Sequence, residues 1–168
     1  MFATAACTTI RHAGMPPLSQ ELLVIRRNHT AGELSLDPLR WGLISYWCQD
    51  PTGGRKPINA KSETVDRLPT FRDAYRKRRC IVPVDGFFEW KAIKGQKAKQ
   101  PYAIAMKTRE PFGIAGIWEN WKEPRSGEWI RTFAVITTDA NQFVAEIHGR
   151  IPRFKGLLAV AWRGARST

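Results

Sequence analysis

The feature that most constrains the fold is the segment CIVPVDGFFEWK, residues 80–91. It opens with an apolar, mostly β-branched run, which predicts a buried strand, and Asp85-Gly86 then predicts a turn or bulge. Glu89 follows among three aromatic residues, namely Phe87, Phe88 and Trp90. A carboxylate walled by aromatic rings loses solvation and has a raised pKa, which suits a general acid or base. The alternative is an edge-strand Glu89 that points at water.

Strands dominate the rest of the pattern. Apolar alternation predicts them in ELLVIRR (21–27), in LSLDPLRWGLIS (34–45, as two segments), in PYAIAMKT (101–108), in FGIAGIWENW (112–121) and in EWIRTFAVITT (128–138). Because successive strands are joined by short turns, we expect antiparallel pairing. The fold class is therefore α+β: mainly antiparallel strands curled into a barrel-like core, with a few short peripheral helices.

Two short helices are expected outside this core. Thr70 is positioned to cap a helix over residues 71–79, whose exposed face is strongly basic. Asp139 or Asn141 is positioned to cap a second helix, which carries His148 near its end and is stopped by Pro152.

The charge of the chain points to a polyanionic partner. The formal net charge is +12, from 27 Lys and Arg against 15 Asp and Glu. Nucleic acid is the first partner to test, because seven Trp, eight Phe and three Tyr residues offer rings that could stack on unpaired bases. Membrane surfaces and acidic proteins are the alternatives.

The cysteines indicate a reducing compartment. Cys7, Cys48 and Cys80 show neither CxxC nor Cys/His ligand spacing, so we predict no metal site, disulfide framework or cofactor. No apolar stretch approaches the roughly 18 residues of a membrane span. We therefore expect a cytoplasmic, soluble, monomeric protein that forms one domain over residues 1–168 and contacts no membrane.

Three polar residues stand at the ends or edges of apolar elements: Asn59, Glu89 and His148. An amide, a carboxylate and an imidazole could together orient a substrate and move protons at a carbonyl or imine. The plainer alternatives are a turn Asn59 bonded to its own backbone and a helix-end His148 bonded to a carbonyl. His12 and His29 lie in unpatterned or turn segments, and no role is predicted for them.

Seven blocks in a fixed order resemble one known family. They are RWGLIS.W (40–47), INAKSET (58–64), FRDAYRKRRCIVPVDGFFEWK (71–91), PYAIAM (101–106), AGIWENW (115–121), TFAVITTDAN (132–141) and IHGRIP (147–152). The blocks are similar to those of the SOS response-associated peptidases (SRAP), also called abasic-site processing proteins. The resemblance is strongest over residues 21–152.

The resemblance implies a specific chemistry. Family members bind single-stranded DNA at abasic sites and crosslink to the ring-opened sugar through an N-terminal cysteine, whose amine forms a Schiff base and whose thiolate closes a thiazolidine. Asn59 would then hold the sugar or the cysteine, Glu89 would assist proton transfer, and His148 would act in Schiff-base formation and reversal. The peptidase name fits removal of the residues that precede the cysteine.

The same resemblance implies how the DNA is held. Lys61 and Arg150 would contact phosphates, and Trp41 or Trp47 would wedge or stack bases at the lesion. Family members usually carry Arg at the position of Lys61, and the change turns a bidentate phosphate contact into a point charge.

The N-terminal residues differ from the family. Phe2 carries no thiol and does not permit removal of Met1, so the chain as written is expected not to form the thiazolidine. Either unrelated sequence replaces the family's start over residues 1–20, or cleavage before Cys7 exposes a new N-terminal nucleophile.

Residues 153–168 are also atypical, where the family continues into an apolar strand. We expect an incomplete sheet edge and marginal stability from this. Two further functions stay open. One is a noncatalytic module that binds single-stranded DNA, and the other is a cysteine protease, for which Cys48 and Cys80 have no evident histidine partner.

Overall fold

The computed structural model describes residues 20–28, 32–50, 56–154 and 158–162. Strands make up most of this part of the chain. They are β1 (Glu21–Arg27), β2 (Leu34–Trp41), β3 (Asn59–Lys61), β4 (Arg79–Val84), β5 (Gly86–Ala92), β6 (Lys99–Met106), β7 (Phe112–Lys122), β8 (Trp129–Asp139), β9 (Arg150–Pro152) and β10 (Leu158–Trp162). The helices are α1 (Arg72–Lys77) and α2 (Gln142–Ala145).

Five strands close into a barrel in the order β2-β1-β4-β7-β8. Neighbours in this order pair antiparallel, and a short parallel contact between β2 and β8 closes the ring, with Arg40 opposite Thr132 and Trp41 opposite Phe133. Gly42 ends β2 with φ 120°, a conformation that favours glycine, so residues 34–45, predicted as two strand segments, contain one strand that ends at Trp41. The barrel-like α+β fold is otherwise confirmed.

A second sheet grows directly out of the barrel. After Asp85 the chain leaves β4 and continues as β5, which pairs with β6, and β6 pairs in turn with β10. Gly86 permits this exit, because a Cβ atom there would lie 2.7 Å from the carbonyl oxygen of Ile104. Residues 158–162, for which no strand was predicted, therefore form the third strand of this sheet.

Both faces of the barrel wall carry apolar clusters. One fills the barrel and extends onto the second sheet through Phe87 and Ile104. The other lies outside the wall beneath α1, where its buried members are Leu43, Ala60, Val65, Phe71, Ala74, Ile117, Ala134 and Ile136. Because the barrel wall is packed on both faces, β8 and its neighbouring strands hold their polar residues in fixed positions.

The helix ends differ in part from the predictions. Phe71, not Thr70, is the N-cap of α1, and it makes no side-chain cap bond, because the chain already turns before it with Arg72 N–H donating to the Leu68 carbonyl. Asn141 caps α2 as predicted, and its Oδ1 accepts from the Val144 amide. Pro152 does not stop this helix, which ends at Ala145.

Within the described residues no helix is both long and apolar enough to cross a bilayer. Nor does that part of the chain bring three or more His, Cys, Asp or Glu side chains together in an arrangement that could hold a metal ion.

Candidate functional site

Glu89 and His148 meet in space although 59 positions separate them in the sequence. Glu89 lies on β5 opposite Tyr102, and its side chain is 12% exposed. Its Oε2 atom lies 3.8 Å from Nδ1 of His148, which is half exposed. Of the three predicted aromatic neighbours only Phe87 shares the face of Glu89, because side chains alternate along a strand, and Phe88 and Trp90 project from the other face.

The environment of Glu89 favours its protonated form. Burial raises the pKa of this carboxyl above its ordinary value, and attraction to His148 lowers it by a smaller amount. A group of this kind can give up or take up a proton closer to neutral pH than an exposed carboxyl can. The predicted rise in the pKa of Glu89 is confirmed, with burial as its main cause.

We expect Glu89→Gln to stabilise the protein at neutral pH. Because folding raises the pKa of Glu89 from 4.5, ionisation costs the folded state more than the unfolded chain. The cost is absent well below pH 4.5 and fully present above the raised pKa, so the gain in Tm should appear as the pH rises from about 4 to 7. Each kcal/mol that the substitution adds to the free energy of unfolding raises Tm by about 2–4 °C.

Thermal unfolding across this pH range measures the effect, with Glu110→Gln as the matched control, because Glu110 is exposed. An unchanged or lower Tm for Glu89→Gln at neutral pH would contradict the prediction.

His148 follows α2 and is held by the main chain on both sides. Its amide donates to the Val144 carbonyl at 3.0 Å. Its ring Nδ1 lies 2.9 Å from the carbonyl oxygen of Arg150 and 3.3 Å from the Arg150 amide nitrogen. The edge of the ring that carries Nδ1 is thus enclosed by Arg150 and Glu89.

Asn59 and Lys61 project from one side of β3, since both are exposed and Ala60 between them is buried. β3 runs parallel to β8, with Asn59 opposite Val135 and Lys61 opposite Thr137. Paired residues of neighbouring strands project from the same face of a sheet. Asn59 and Lys61 therefore share that face of β8 with Thr137.

Arg150 joins the same face from the other neighbour of β8. β9 pairs antiparallel with β8, so that Arg150 stands opposite Asp139. Its guanidinium donates to Asp139 Oδ1 and Glu63 Oε2, both at 2.9 Å, and to the Thr137 carbonyl at 2.8 Å. The carboxylates of Glu63 and Asp139 were missed at the sequence level, because only folding brings them to Arg150.

The two tryptophans differ in what their rings can reach. Trp41 is 6% exposed and stacks on Phe133 in the core, and its Nε1 donates to the carbonyl of Ile58, the residue before Asn59. Its placement supports Asn59 and leaves no ring face for a base. Trp47 is 51% exposed, so of the two it is the ring open to a base.

The cysteines give little support to a thiol nucleophile among the described residues. Burial raises the pKa of Cys80 to about 12, which keeps its thiol protonated at neutral pH. Cys48 is partly exposed, and its carbonyl accepts from Trp121 Nε1 at 2.6 Å. Cys7 and Phe2, on which the expected N-terminal chemistry turns, lie outside the described residues.

Comparison with known proteins places the chain among relatives named abasic site processing proteins. The model of the family "SOS response associated peptidase (SRAP)" matches residues 12–155. The abasic site processing protein YoqW of Bacillus subtilis is 40% identical over 134 residues, which are 80% of this chain and 58% of YoqW. The abasic site processing protein HMCES of Rattus norvegicus is 27% identical over 163 residues, covering 81% of this chain and 46% of HMCES.

Solved structures share the fold. A crystal structure of a protein from Bacteroides thetaiotaomicron superposes with a TM-score of 0.71 at 34% identity, over 80% of this chain and 58% of the other. One from Bordetella bronchiseptica superposes with a TM-score of 0.69 at 26% identity, over 86% and 74% of the two chains. The chain thus spans a little over half the length of YoqW and of the Bacteroides protein.

Proposed function

Because the chain belongs to the SOS response associated peptidase (SRAP) family, we propose that it binds single-stranded DNA at abasic sites and captures the aldehyde of the opened sugar. Relatives named abasic site processing proteins support this proposal. The single observation that carries it is the contact of 3.8 Å between the buried Glu89 carboxylate and the half-exposed ring of His148.

That pair fits the chemistry of imine formation. A protein amine adds to the aldehyde carbon, a C–N bond forms, and the carbonyl oxygen becomes a hydroxyl that must leave as water. Loss of water requires a proton donor beside the hydroxyl and an acceptor for the proton of the amine. Glu89, with its raised pKa, serves as the donor, and the His148 imidazole serves as the acceptor.

The face that Asn59 and Lys61 share supplies the binding groups. Asn59 has both donor and acceptor atoms for the hydroxyls of an opened sugar, and the Lys61 ammonium pairs with a phosphate. Trp47 offers a half-exposed ring on which a neighbouring base can stack. The formal net charge of +12 draws the DNA to the protein at long range.

Borohydride trapping tests the proposal, because it reduces an imine to a stable amine and so fixes the protein to the DNA. The protein is mixed with a single-stranded oligonucleotide that carries one abasic site, and the adduct is resolved by denaturing electrophoresis. Two matched oligonucleotides serve as controls: one without the abasic site, and one with a stable abasic analogue that has no aldehyde. We expect an adduct only with the oligonucleotide whose abasic site carries an aldehyde.

Binding to the same three oligonucleotides distinguishes abasic-site capture from noncatalytic binding of single-stranded DNA. If no adduct forms and all three bind equally, with an affinity that falls steeply with salt, the chain is a noncatalytic single-stranded DNA-binding module and the proposed capture is wrong.

A further inference from the structure

Half of the formal net charge lies in one segment, which runs from the middle of β5 to just beyond β6. Residues 90–109 contain six basic residues and no acidic residue, so they contribute +6 to a total of +12. Like charges held this close together repel one another and attract a polyanion. The six basic residues are Lys91, Lys94, Lys97, Lys99, Lys107 and Arg109.

These cations are not neutralised within the described part of the chain. The ion pairs found there include none of the six side chains. β5 is an edge strand of its sheet, and lysines on an edge often serve to keep other strands from pairing with it. That explanation suits Lys91, which lies on β5. It does not suit Lys94 and Lys97, which lie in the loop between β5 and β6.

The hairpin of β5 and β6 begins at the candidate site. Glu89 stands opposite Tyr102, and the next pair toward the loop whose side chains project from the same face is Lys91 opposite Gln100. Two residues along a strand are about 7 Å apart. The partly exposed Tyr102 and Lys91 therefore share the face of Glu89 and lead away from it along the hairpin.

The loop carries the charge further from the site. Lys94 and Lys97 are both exposed, and Gly95 between them adopts φ 80°, a conformation that favours glycine and turns the chain back. β5 ends three residues after Glu89, which is about 10 Å along the strand. The loop lies beyond that distance, so its two ammonium groups face other parts of a ligand than the Glu89 carboxylate does.

We propose that the β5–β6 hairpin is a second part of the DNA site and holds phosphates several nucleotides away from the lesion. The single strand leaves Glu89 along the face of Tyr102 and Lys91. Its phosphates then pair with Lys94 and Lys97 in the loop.

The side chains along this path suit a single strand of any sequence. The Tyr102 ring offers a surface on which a base can stack, and stacking tolerates every base. Lysine ammonium groups are mobile point charges, so they can follow a flexible sugar-phosphate backbone without reading bases. The inference rests on the part of the proposed function in which the chain binds single-stranded DNA. It does not need the capture of an aldehyde.

A salt titration of binding to an intact single-stranded oligonucleotide tests the two contacts of the loop. Each phosphate contact contributes about 0.7 to the slope of log Kobs against log salt for single strands, so Lys94→Met/Lys97→Met should lower the slope by about 1.4. Arg76→Met/Lys77→Met is the matched control, because it removes two exposed charges from α1 and should leave the slope unchanged. An unchanged slope in the loop variant would overturn the proposal.

A series of oligonucleotides of increasing length tests where the contacts fall. Each carries a central abasic analogue without an aldehyde, and the shortest has one nucleotide on either side of it. Lys94→Met/Lys97→Met should bind the shortest strand as the wild type does and fall behind as the strand lengthens toward the loop. A deficit that is the same at every length would show that the two charges act only through the general field of the protein, and the proposal would be wrong.

A separate variant and a stability measurement guard against a folding defect. Lys91→Met should lower the salt slope by about 0.7, and the Tm of each variant should match that of the wild type, because none of the lysines is buried. If the wild type does not bind intact single strands, this inference and the DNA binding of the proposed function are both wrong. If the wild type captures the abasic site and the variants keep its slope and its dependence on length, only the role of the hairpin is wrong.

Discussion

Replacing Arg78 with methionine is expected to lower the free energy of unfolding by about 3–5 kcal/mol. Arg78 follows α1 and donates from Nη2 to Glu119 Oε1 at 2.7 Å. Glu119 lies on β7 with only 2% of its side chain exposed, and burial raises its pKa while Arg78 lowers it. Methionine keeps the apolar stem of the side chain but leaves the Glu119 carboxylate buried without a counter-charge, which is the costly half of a buried ion pair.

Urea unfolding of Arg78→Met measures this loss. Arg76→Met is the matched control, because Arg76 lies on the exposed side of α1, and it should change the free energy of unfolding by less than about 0.5 kcal/mol. In the double variant Arg78→Met/Glu119→Met most of the loss should be recovered, since an apolar pair of similar volume often replaces a buried ion pair at little cost. A loss below about 1 kcal/mol for Arg78→Met would contradict the prediction.

The ion pair also bears on the surface that carries Trp47. The Arg78 guanidinium lies 5.9 Å from the centroid of the Tyr46 ring, and Trp121, two residues after Glu119, donates to the Cys48 carbonyl. The residues before and after Trp47 are thus both in contact with side chains at the outer face of the barrel. Loss of the ion pair should loosen that segment as well as weaken the packing beneath α1.

The strands of the barrel could be predicted because their signal is local. Alternation and β-branched runs mark β1, β4, β7 and β8, and each of these is long enough to show a period. The closure of the barrel could not be predicted, since the parallel contact of β2 with β8 joins two residue pairs that lie far apart in sequence. β3 and β9 are three residues each, which is too short for any periodic signal.

The candidate site shows the same division between local and distant information. Residue types and the family resemblance single out Glu89 and His148, but their approach to 3.8 Å depends on the exit of β5 from the barrel. Arg150 shows the limit most clearly. Its cation suggests a phosphate contact, and the folded chain adds an ion pair with the carboxylate of Glu63, 87 positions away in the sequence. Such a pairing has no signal in the sequence, because the chain holds many other charged residues with which either partner could pair.

Removing either member of the Glu89–His148 pair is expected to slow the proposed capture of abasic DNA by about 10²–10⁴-fold, the range typical of general acid–base catalysis. In Glu89→Gln the side chain keeps its size and loses the proton that the departing hydroxyl needs. In His148→Gln the imidazole that accepts the proton of the amine is lost. Single-turnover rates of borohydride-trapped adduct measure both, with Glu110→Gln as a control of unchanged rate.

The double variant shows whether the two residues act as one unit. Because Oε2 of Glu89 and Nδ1 of His148 are 3.8 Å apart, the proton held by one depends on the charge of the other. Once either partner is gone, removing the second should cost little more, so Glu89→Gln/His148→Gln should be about as slow as the slower single variant. If the two losses multiply instead, the carboxylate and the imidazole act independently, and the prediction that they act as one unit is wrong.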